Sequence, residues 1–222
     1  MRFDIMTLFT DLIESVLGES IIGRARQKGI IEVCTHNIRD FSKDKHKRVD
    51  DTPYGGGKGM LMAAPPIYDC YNSIPHIGNI RTVYMSPKGK IFTQQTAKRL
   101  SEYDQLIILC GHYEGVDQRA IDLIVDEEIS VGDYVLTGGE LPACIVVDAV
   151  ARMIDGVLSD PECYQNESLL CGMLEYPQYT RPYDFMGHEV PSVLVSGDHR
   201  EIEKWRFEQA LELTKKQRPD LL

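Results

Sequence analysis

The sequence predicts an α/β fold in which helices cover a parallel sheet, followed by a small, mainly helical C-terminal domain. Three observations carry this prediction. Patterns typical of strands and of helices alternate through the first two-thirds of the 222 residues. Residues 105–110 are nearly all apolar, as expected of a strand covered on both faces. The alternation ends after Gly156, where a separate C-terminal part begins.

The first elements of the predicted sheet lie in the N-terminal half. Residues 3–9 form the first strand pattern, followed by a helix pattern over 11–17. Residues 30–35 are rich in β-branched side chains and predict a second strand. A third strand over 81–85 ends at the turn sequence Ser86-Pro87-Lys88-Gly89, and a helix from about residue 93 closes at Tyr103.

The second group of elements contains the clearest patterns of the chain. The apolar run 105–110 predicts a buried strand, and residues 116–125 have a helical period. The strongest helix pattern covers 140–154, where Val146, Val147, Val150 and Ile154 recur on one side. These elements complete an α/β domain that we place at residues 1–157.

The C-terminal third divides into a connecting segment and a helical domain. Residues 157–191 have no convincing period and are interrupted by prolines, which is typical of a lid or a linker. Several tyrosines and leucines in this stretch favour a segment that packs on a surface. Asp198 and Glu201 have the spacing of a helix cap, before a helix that carries Trp205 and runs to Pro219. We predict a linker over 158–180 and a C-terminal domain over 181–222.

The charges are distributed unevenly. The net charge of −10 would discourage nucleic-acid binding, but residues 101–148 account for it with eleven acids and one base. Residues 24–48 instead hold eight basic and three acidic side chains. A basic segment is often only a solvated surface, yet this one continues into a glycine-rich loop, which favours polyanion binding.

Cysteine usage and hydropathy restrict the class of protein. The six cysteines are scattered without a CxxC pair, which argues against a zinc site and predicts reduced core thiols. No apolar run has the length of a membrane span, and the N-terminus does not have the layout of a secretory signal. We therefore expect a cytoplasmic protein without membrane contact.

Three glycine- and aromatic-bearing segments follow predicted strands and predict one ligand pocket. They are residues 84–87, 110–115 and 131–142. Loops at the carboxyl ends of parallel strands form the usual ligand site of an α/β sheet. The last segment holds three glycines within eight positions directly before a helix, so it presents backbone amides to a ligand. A fourth glycine loop, residues 50–60, adjoins the basic segment.

Several common catalytic motifs are absent. Lys58 is followed by Gly59 rather than Ser or Thr, so the segment is not a Walker A loop, and no GxGxxG or GxSxG sequence occurs. His188-Glu189 lacks the second histidine of a zinc protease. His112 beside the glycine turn has two interpretations from its residue type alone, a general base or a hydrogen-bonding residue of the loop.

The ordered set of motifs resembles the bacterial tRNA (guanine-N1)-methyltransferases of the TrmD type, which belong to the knotted SPOUT methyltransferases. The resemblance covers nearly the whole chain. It rests on blocks in the same order, namely Ile22-Gly23-Arg24-Ala25, Arg39-Asp40-Phe41, Val49-Asp50-Asp51 with Pro53-Tyr54-Gly55-Gly56-Gly57, residues 111–115, Asp126-Glu127-Glu128, residues 132–142, Gly156-Val157-Leu158, Tyr179-Thr180-Arg181-Pro182 and Gly197-Asp198-His199. It implies a SPOUT-type parallel sheet with a deep trefoil knot.

The resemblance also implies the cofactor and its binding residues. S-adenosyl-L-methionine would bind in the knot, against walls formed by the three predicted loops. By position in the family the binding residues are Tyr84, Ser86, Pro87, Gly111, Tyr113, Glu114, Val131, Gly132, Asp133, Tyr134, Val135, Leu136, Gly138 and Gly139. Apolar walls and backbone hydrogen bonds suit an adenine ring.

The implied reaction needs a base for the guanine N1 proton and a cation for charge on O6. By family position Arg152 is the O6 partner, although a helix-end ion pair is an equal interpretation from its residue type alone. The family has Asp where Glu167 stands in Asn166-Glu167-Ser168, so this carboxylate is one methylene longer. We predict Glu167 as the base, with Glu175 as the competing candidate.

The implied substrate is the anticodon stem-loop of tRNA, and no contact with DNA is expected. The resemblance assigns substrate binding to Arg24, His46, Arg48, Asp50, Tyr54, Gly55 and Gly57. It also implies a homodimer and Mg²⁺ in the reaction, although the sequence offers no dedicated metal cage. Two alternatives stay open, a knotted methyltransferase of another RNA specificity and a catalytically silent RNA-binding protein that senses the cofactor.

Overall fold

A computed structural model describes residues 1–158 and 172–222 of the chain, and Glu167 therefore lies outside the described residues. The chain forms two compact units, Met1–Ser159 and Asp160–Leu222. The elements of the first unit are, in order, β1 (Arg2–Thr7), α1 (Thr10–Leu17), α2 (Ser20–Gln27), β2 (Glu32–Asn37), β3 (Asp50–Asp51), β4 (Leu61–Met62), α3 (Ala64–Ser73), β5 (Ile80–Ile91), α4 (Gln94–Leu100), β6 (Gln105–Cys110), α5 (Gln118–Ile124), β7 (Glu127–Ser130) and α6 (Glu140–Ala151).

The first unit is built on a five-stranded parallel sheet with the strand order β2-β1-β6-β5-β7. This confirms the α/β class and the parallel sheet. Residues of β6 alternate between two apolar clusters, with Leu106 and Ile108 in one and Ile107 and Leu109 in the other. Helices therefore cover both faces of the sheet, which explains the continuous apolar run of this strand.

Several predicted boundaries are wrong by a few residues, and one strand end is wrong by more. β5 does not end at Met85 but continues to Ile91, with a register shift against β7 between Met85 and Lys90. A Cβ on Gly89 would lie 2.4 Å from the Ile129 nitrogen, so glycine lets the bent strand stay close to its neighbour. The second strand is displaced to Glu32–Asn37, and α6 ends at Ala151 rather than at Ile154.

Within residues 172–222, the second unit contains a short hairpin and one long helix. Strands β8 (Asp184–Phe185) and β9 (His188–Glu189) pair antiparallel, and α7 covers His199–Gln217. The Asp198 side chain accepts hydrogen bonds from the backbone N–H groups of Arg200 and Glu201, at 3.0 and 3.3 Å. This confirms the predicted helix cap.

The segment before this hairpin is attached to α7. The Leu174 backbone N–H donates to Thr214 Oγ1 at 2.9 Å, and Thr214 is fully buried. The Arg206 guanidinium lies 5.0 Å from the centre of the Tyr176 ring, and the Tyr179 and Trp205 rings are 6.3 Å apart. Residues 174–179 are therefore part of the packing of the second unit. None of the helices in the two described ranges is both long and apolar enough to cross a membrane.

Candidate active site

A cavity of about 460 Å³ lies in the first unit, at the carboxyl ends of β6 and β7 and beside the bend of β5. Its volume is within the usual range for small-molecule sites. Of the predicted cofactor residues it is lined by Tyr84, Ser86, Pro87, Gly111, Tyr113, Glu114, Val131, Gly132, Tyr134, Val135, Leu136, Gly138 and Gly139. Asp133 lies outside the lining. The three loops thus meet in one cavity, whereas binding of the cofactor stays a prediction.

Two of the cavity walls are joined through their backbones. The Gly139 N–H donates to the Gly111 carbonyl at 2.8 Å. A Cβ on Gly139 would lie 2.8 Å from the Cys110 Cα atom, and a Cβ on Gly138 only 2.3 Å from Glu140 Oε2. Gly139 has no space for a side chain because it lies against the backbone of the second loop, whereas at Gly138 the side chains of Glu140 and His112 would have to move.

The third wall is a compact turn after β7. The Ser130 hydroxyl accepts from the Gly132 N–H at 3.2 Å and donates to the Gly132 carbonyl at 2.9 Å. The Tyr134 hydroxyl donates to the Val131 carbonyl at 3.3 Å. These local bonds hold the turn in shape, while Val135 at its tip stays exposed.

Tyr84 forms the buried side of the cavity. A Cβ on Gly111 would lie 2.8 Å from the Tyr84 hydroxyl oxygen, so this hydroxyl faces the backbone of the second loop. Burial, and to a smaller extent the charge of Glu128, raise the pKa of Tyr84 to about 12. The hydroxyl therefore stays protonated at neutral pH and acts as a hydrogen-bond donor rather than as a base.

His112 lines the cavity beside a buried carboxylate. Its Nδ1 atom lies 3.9 Å from Glu140 Oε2, and the other carboxylate oxygen of Glu140 accepts a hydrogen bond from Thr7 at 2.8 Å. His112 Nδ1 is covered and has no hydrogen-bond partner among the described residues. Because this nitrogen faces the protein interior, it has no access to a proton on a ligand. The sequence prediction did not include Glu140 or this pairing.

The wall of residues 111–115 also joins the loop between β3 and β4. The Glu114 N–H donates to the Met60 carbonyl at 3.0 Å, and the Met62 N–H donates to the Gly115 carbonyl at 2.9 Å. An Arg39 guanidinium nitrogen lies 3.3 Å from the Tyr113 hydroxyl. The predicted basic segment therefore contacts the cavity wall directly through Arg39.

The predicted substrate residues lie outside the cavity lining. Arg24 is exposed on α2, and Asp50 is half-buried on β3. The exposed Arg48 pairs with Asp44 at 2.8 Å, which holds the pKa of the Asp44 carboxyl well below its usual range. Tyr54 is 98% exposed in the β3–β4 loop. The remaining predicted substrate residues, His46, Gly55 and Gly57, are exposed as well.

The two candidate catalytic residues in the described ranges belong to different units. Arg152 caps the C-terminal end of α6, with its N–H bonded to the Asp148 carbonyl, and it is not part of the cavity lining. Glu175 belongs to the second unit. In the parts of the chain that the structure describes, no three His, Cys, Asp or Glu side chains form a group that could hold a metal ion.

The cysteines in the described ranges are unpaired thiols. Cys70, Cys110 and Cys144 are buried and Cys34 is half-buried. Burial raises the pKa of the Cys70 thiol to about 12. Cys70, Cys110 and Cys144 are therefore core thiols as predicted, whereas Cys34 is not part of the core.

The fold and the cavity define an α/β protein in which glycine-rich loops after the strands enclose a cavity. The family is shown by comparison with known proteins. The model of the family described as "tRNA (Guanine-1)-methyltransferase TrmD" matches residues 1–222, and the chain belongs to this family.

Full-length relatives agree with this assignment. A tRNA (guanine-N(1)-)-methyltransferase of Ruminiclostridium cellulolyticum is 56% identical over 223 residues, covering 100% of this chain and 96% of the relative. The Clostridioides difficile protein of the same name is 55% identical over 224 residues, covering 100% and 97%. The Clostridium botulinum protein of that name is 52% identical over 222 residues, covering 100% and 92%.

Proposed function

We propose that this protein transfers a methyl group from S-adenosyl-L-methionine to N1 of guanine 37 in tRNA, next to the anticodon. The family match over residues 1–222 supports methylation of a tRNA guanine. The single structural observation behind the proposal is the cavity in which the three predicted loops meet. Position 37 and the methyl donor come from the resemblance stated above.

The cavity residues fit S-adenosyl-L-methionine in size and chemistry. The volume of about 460 Å³ suits a ligand of nucleoside size. Tyr84, Val131 and Leu136 offer apolar surface to an adenine ring, and the glycine loops bring backbone groups close to its polar atoms. The bound donor supplies an electrophilic methyl group on its sulfonium sulfur. A deep trefoil knot formed by these loops is part of the proposal.

The protein groups have to manage the proton and the charge of guanine. N1 carries a proton and is a weak nucleophile until a base removes that proton. We assign this role to Glu167, with Glu175 as the competing residue, and we assign stabilisation of the charge on O6 to Arg152. Mg²⁺ in the reaction stays a prediction from the resemblance, and no step here depends on it.

We assign binding of the anticodon stem-loop to exposed residues of the basic segment and of the β3–β4 loop. Arg24 and Arg48 are solvent-exposed, so their charges are accessible to phosphates. Tyr54 offers a ring for stacking on an unpaired base, and a base rotated out of its stack is the usual substrate of base-modifying enzymes. The C-terminal domain over 181–222 is assigned to the same RNA. Because the proposed substrate is tRNA, we also propose a cytoplasmic location.

A homodimer is the second part of the proposal. Helices α1 and α6 pack side by side, and both present apolar side chains to solvent. The exposed ones are Leu12, Val16, Leu141 and Ile145. Exposed apolar side chains on two neighbouring helices are typical of an interface between copies. Sedimentation of the purified chain tests this assignment, and a monomer at micromolar concentration contradicts it.

The methylation proposal is tested with purified protein, labelled S-adenosyl-L-methionine and an unmodified tRNA transcript that carries G36-G37. We expect one 1-methylguanosine per tRNA in the nucleoside digest, and none in a matched transcript with adenine at position 37. A 2′-O-methylated product would support another RNA specificity, and cofactor binding without turnover would support the silent sensor. Either result rejects the proposal.

The base is tested by comparing Glu167→Ala with Glu175→Ala at saturating methyl donor. We expect Glu167→Ala to lower the rate of single-turnover methylation by about a hundredfold, in the range of general-base contributions. Glu175→Ala serves as the matched control because it removes an acid from the same predicted linker region. The reverse order of the two effects would assign the role to Glu175.

A further inference from the structure

His112 has a covered nitrogen that lacks a hydrogen-bond partner. Its ring centre lies 5.0 Å from that of Phe9 and 5.2 Å from that of Tyr113. Among the described residues Nδ1 makes no hydrogen bond, and Glu140 Oε2 lies 3.9 Å away. That distance is too long for a hydrogen bond, but two opposite charges at this distance attract strongly when they are shielded from water.

The carboxylate that faces His112 is itself buried. Glu140 begins α6 and is 4% exposed, and its Oε1 atom accepts the Thr7 hydroxyl at 2.8 Å. Burial and the charge of Glu140 raise the pKa of the Cys110 thiol well above its ordinary value and that of Cys144 to about 11. Both thiols therefore stay neutral near pH 7 and provide no charge that pairs with Glu140.

The His112–Glu140 pair lies at the junction of two cavity walls. A Cβ on Gly138 would lie 2.3 Å from Glu140 Oε2 and 2.6 Å from His112 Nδ1, so the backbone of Gly138 rests directly on both groups. The neighbouring Gly139 N–H donates to the Gly111 carbonyl. A change in the separation of the pair therefore moves the two walls relative to one another.

We propose that His112 and Glu140 form a positioning pair for the methyl-donor cavity, in which protonation of His112 at Nδ1 creates a hydrogen bond to Glu140 Oε2. The proton comes from solvent, and the bond fixes His112, and with it the wall containing Gly111, on Glu140 at the start of α6, so that the cavity is pre-organised for the ligand. The affinity for the methyl donor therefore increases as the pH decreases. This inference rests on the proposed function, because it assumes S-adenosyl-L-methionine as the ligand of the cavity.

The surroundings of His112 contain few other titratable groups. Glu140 faces it from α6, and Tyr113 lies beside it with its hydroxyl 3.3 Å from the guanidinium of Arg39. Phe9, which precedes α1, and Thr7 at the end of β1 are uncharged. Among the described residues, the Cys110 and Cys144 thiols also lie within reach of the Glu140 charge.

The test measures the dissociation constant of S-adenosyl-L-methionine by titration calorimetry between pH 5.5 and 8.5. His112→Asn keeps a donor near the Nδ1 position but does not titrate, Glu140→Gln keeps the shape but removes the charge, and His76→Asn is the matched control on the exposed surface. The amino group of the ligand titrates in the same range, so the informative quantity is the difference between each variant and the unaltered protein.

For each protein the quantity compared is the ratio of its dissociation constants at pH 8.5 and pH 5.5. We expect this ratio to be about fivefold larger for the unaltered protein and for His76→Asn than for His112→Asn, as for weak coupling between two sites. Glu140→Gln should remove the same dependence. An identical pH dependence in the unaltered protein and in both pair variants overturns the inference while leaving the proposed function intact. Absence of binding by the unaltered protein at every pH overturns both.

Discussion

Two buried polar clusters lie at opposite edges of the same sheet, and they differ in how completely their hydrogen bonds are made. At the amino edge, the fully buried carboxylate of Asp4 is bonded by Arg2 at 2.8 Å, by His36 at 2.7 Å and by Gln105 at 2.7 Å. At the carboxyl edge, beneath the cavity, Glu140 Oε2 lies 3.9 Å from Nδ1 of His112, which has no hydrogen-bond partner within residues 1–158 and 172–222.

The two clusters therefore have different roles in the protein. A buried charge whose hydrogen bonds are all made holds one arrangement firmly, because any rearrangement leaves a buried group unpaired. A pair such as His112 and Glu140, whose atoms are close but not hydrogen-bonded, can become hydrogen-bonded by a small movement. We expect the Asp4 cluster to determine stability and the Glu140 cluster to adjust the cavity.

The largest expected effect comes from breaking the satisfied cluster with Asp4→Ala. The free energy of unfolding should decrease by about 3 kcal/mol, because Arg2 and Gln105 lose their buried acceptor. Urea unfolding followed by far-ultraviolet circular dichroism measures the change. Glu32→Ala is the control, since it removes a 59% exposed acid that pairs with the same Arg2 and should cost less than about 1 kcal/mol. Equal losses would contradict the assignment.

A second effect follows from the pH dependence of stability. Burial alone would raise the pKa of Asp4, but the hydrogen bonds that it accepts, the largest from His36, lower it from the ordinary 3.8 to about 2. A lowered pKa stabilises the fold above pH 4, and this stabilisation is lost as the pH falls toward 2.

The stability difference between the unaltered protein and Asp4→Asn should therefore shrink by about 2 kcal/mol from pH 5 to pH 2. The measurement is urea unfolding at a series of pH values for both proteins. A difference that stays constant over this range would mean that Asp4 titrates normally in the folded state.

At the other edge, Gly139→Ala should damage the cavity more than the fold. The new Cβ meets backbone atoms of Cys110 and Gly111 at 2.8 and 2.9 Å, which cannot rotate away. Overpacking of this kind should weaken binding of S-adenosyl-L-methionine about tenfold. Gly29→Ala is the control for backbone strain away from the cavity, because its φ of +70° disfavours alanine while its Cβ meets no atom within 4 Å, so binding should persist. Unchanged calorimetric affinity in Gly139→Ala would show that the walls separate freely.

The smallest expected effect is that of Tyr84→Phe. Loss of one hydroxyl should weaken cofactor binding about threefold, the value of a single hydrogen bond. Because the pKa of Tyr84 is raised to about 12, the pH dependence of binding between pH 5.5 and 8.5 should not change. Calorimetry over this pH range measures the pH dependence of cofactor binding in Tyr84→Phe. An altered dependence would identify Tyr84 rather than His112 as the titrating group.

The sequence predicts best where one local pattern decides the structure. The bounds of β6 are confirmed because its residues are apolar on both faces of the sheet. The position of residues 131–142 implied a strand before them, but the bounds of β7 were not predicted, since Glu127 and Glu128 do not look like a buried strand. Glu127 is held by Arg81 at 2.9 Å and Arg99 at 2.8 Å, which come from other elements, so the local sequence contains no sign of these pairs.

α3 was missed for a different reason. Pro65 and Pro66 read as helix breakers, but they occupy the first turn, where a missing N–H costs nothing. The walls of the cavity were predictable because glycine loops after strands are a local signal. Two features of the cavity were not predictable, namely Leu61 of β4 in its lining and the contact of Glu140 with His112. Both depend on packing between residues that are distant in the sequence, so no local spacing indicates them.

The position of Trp205, which contacts Tyr179 in the second unit, has a practical consequence. Trp205 is the single tryptophan of the chain and belongs to the second unit. Its fluorescence therefore reports on that unit alone, while circular dichroism follows both. Recording the two signals during one denaturant titration separates the unfolding of the units without any added label.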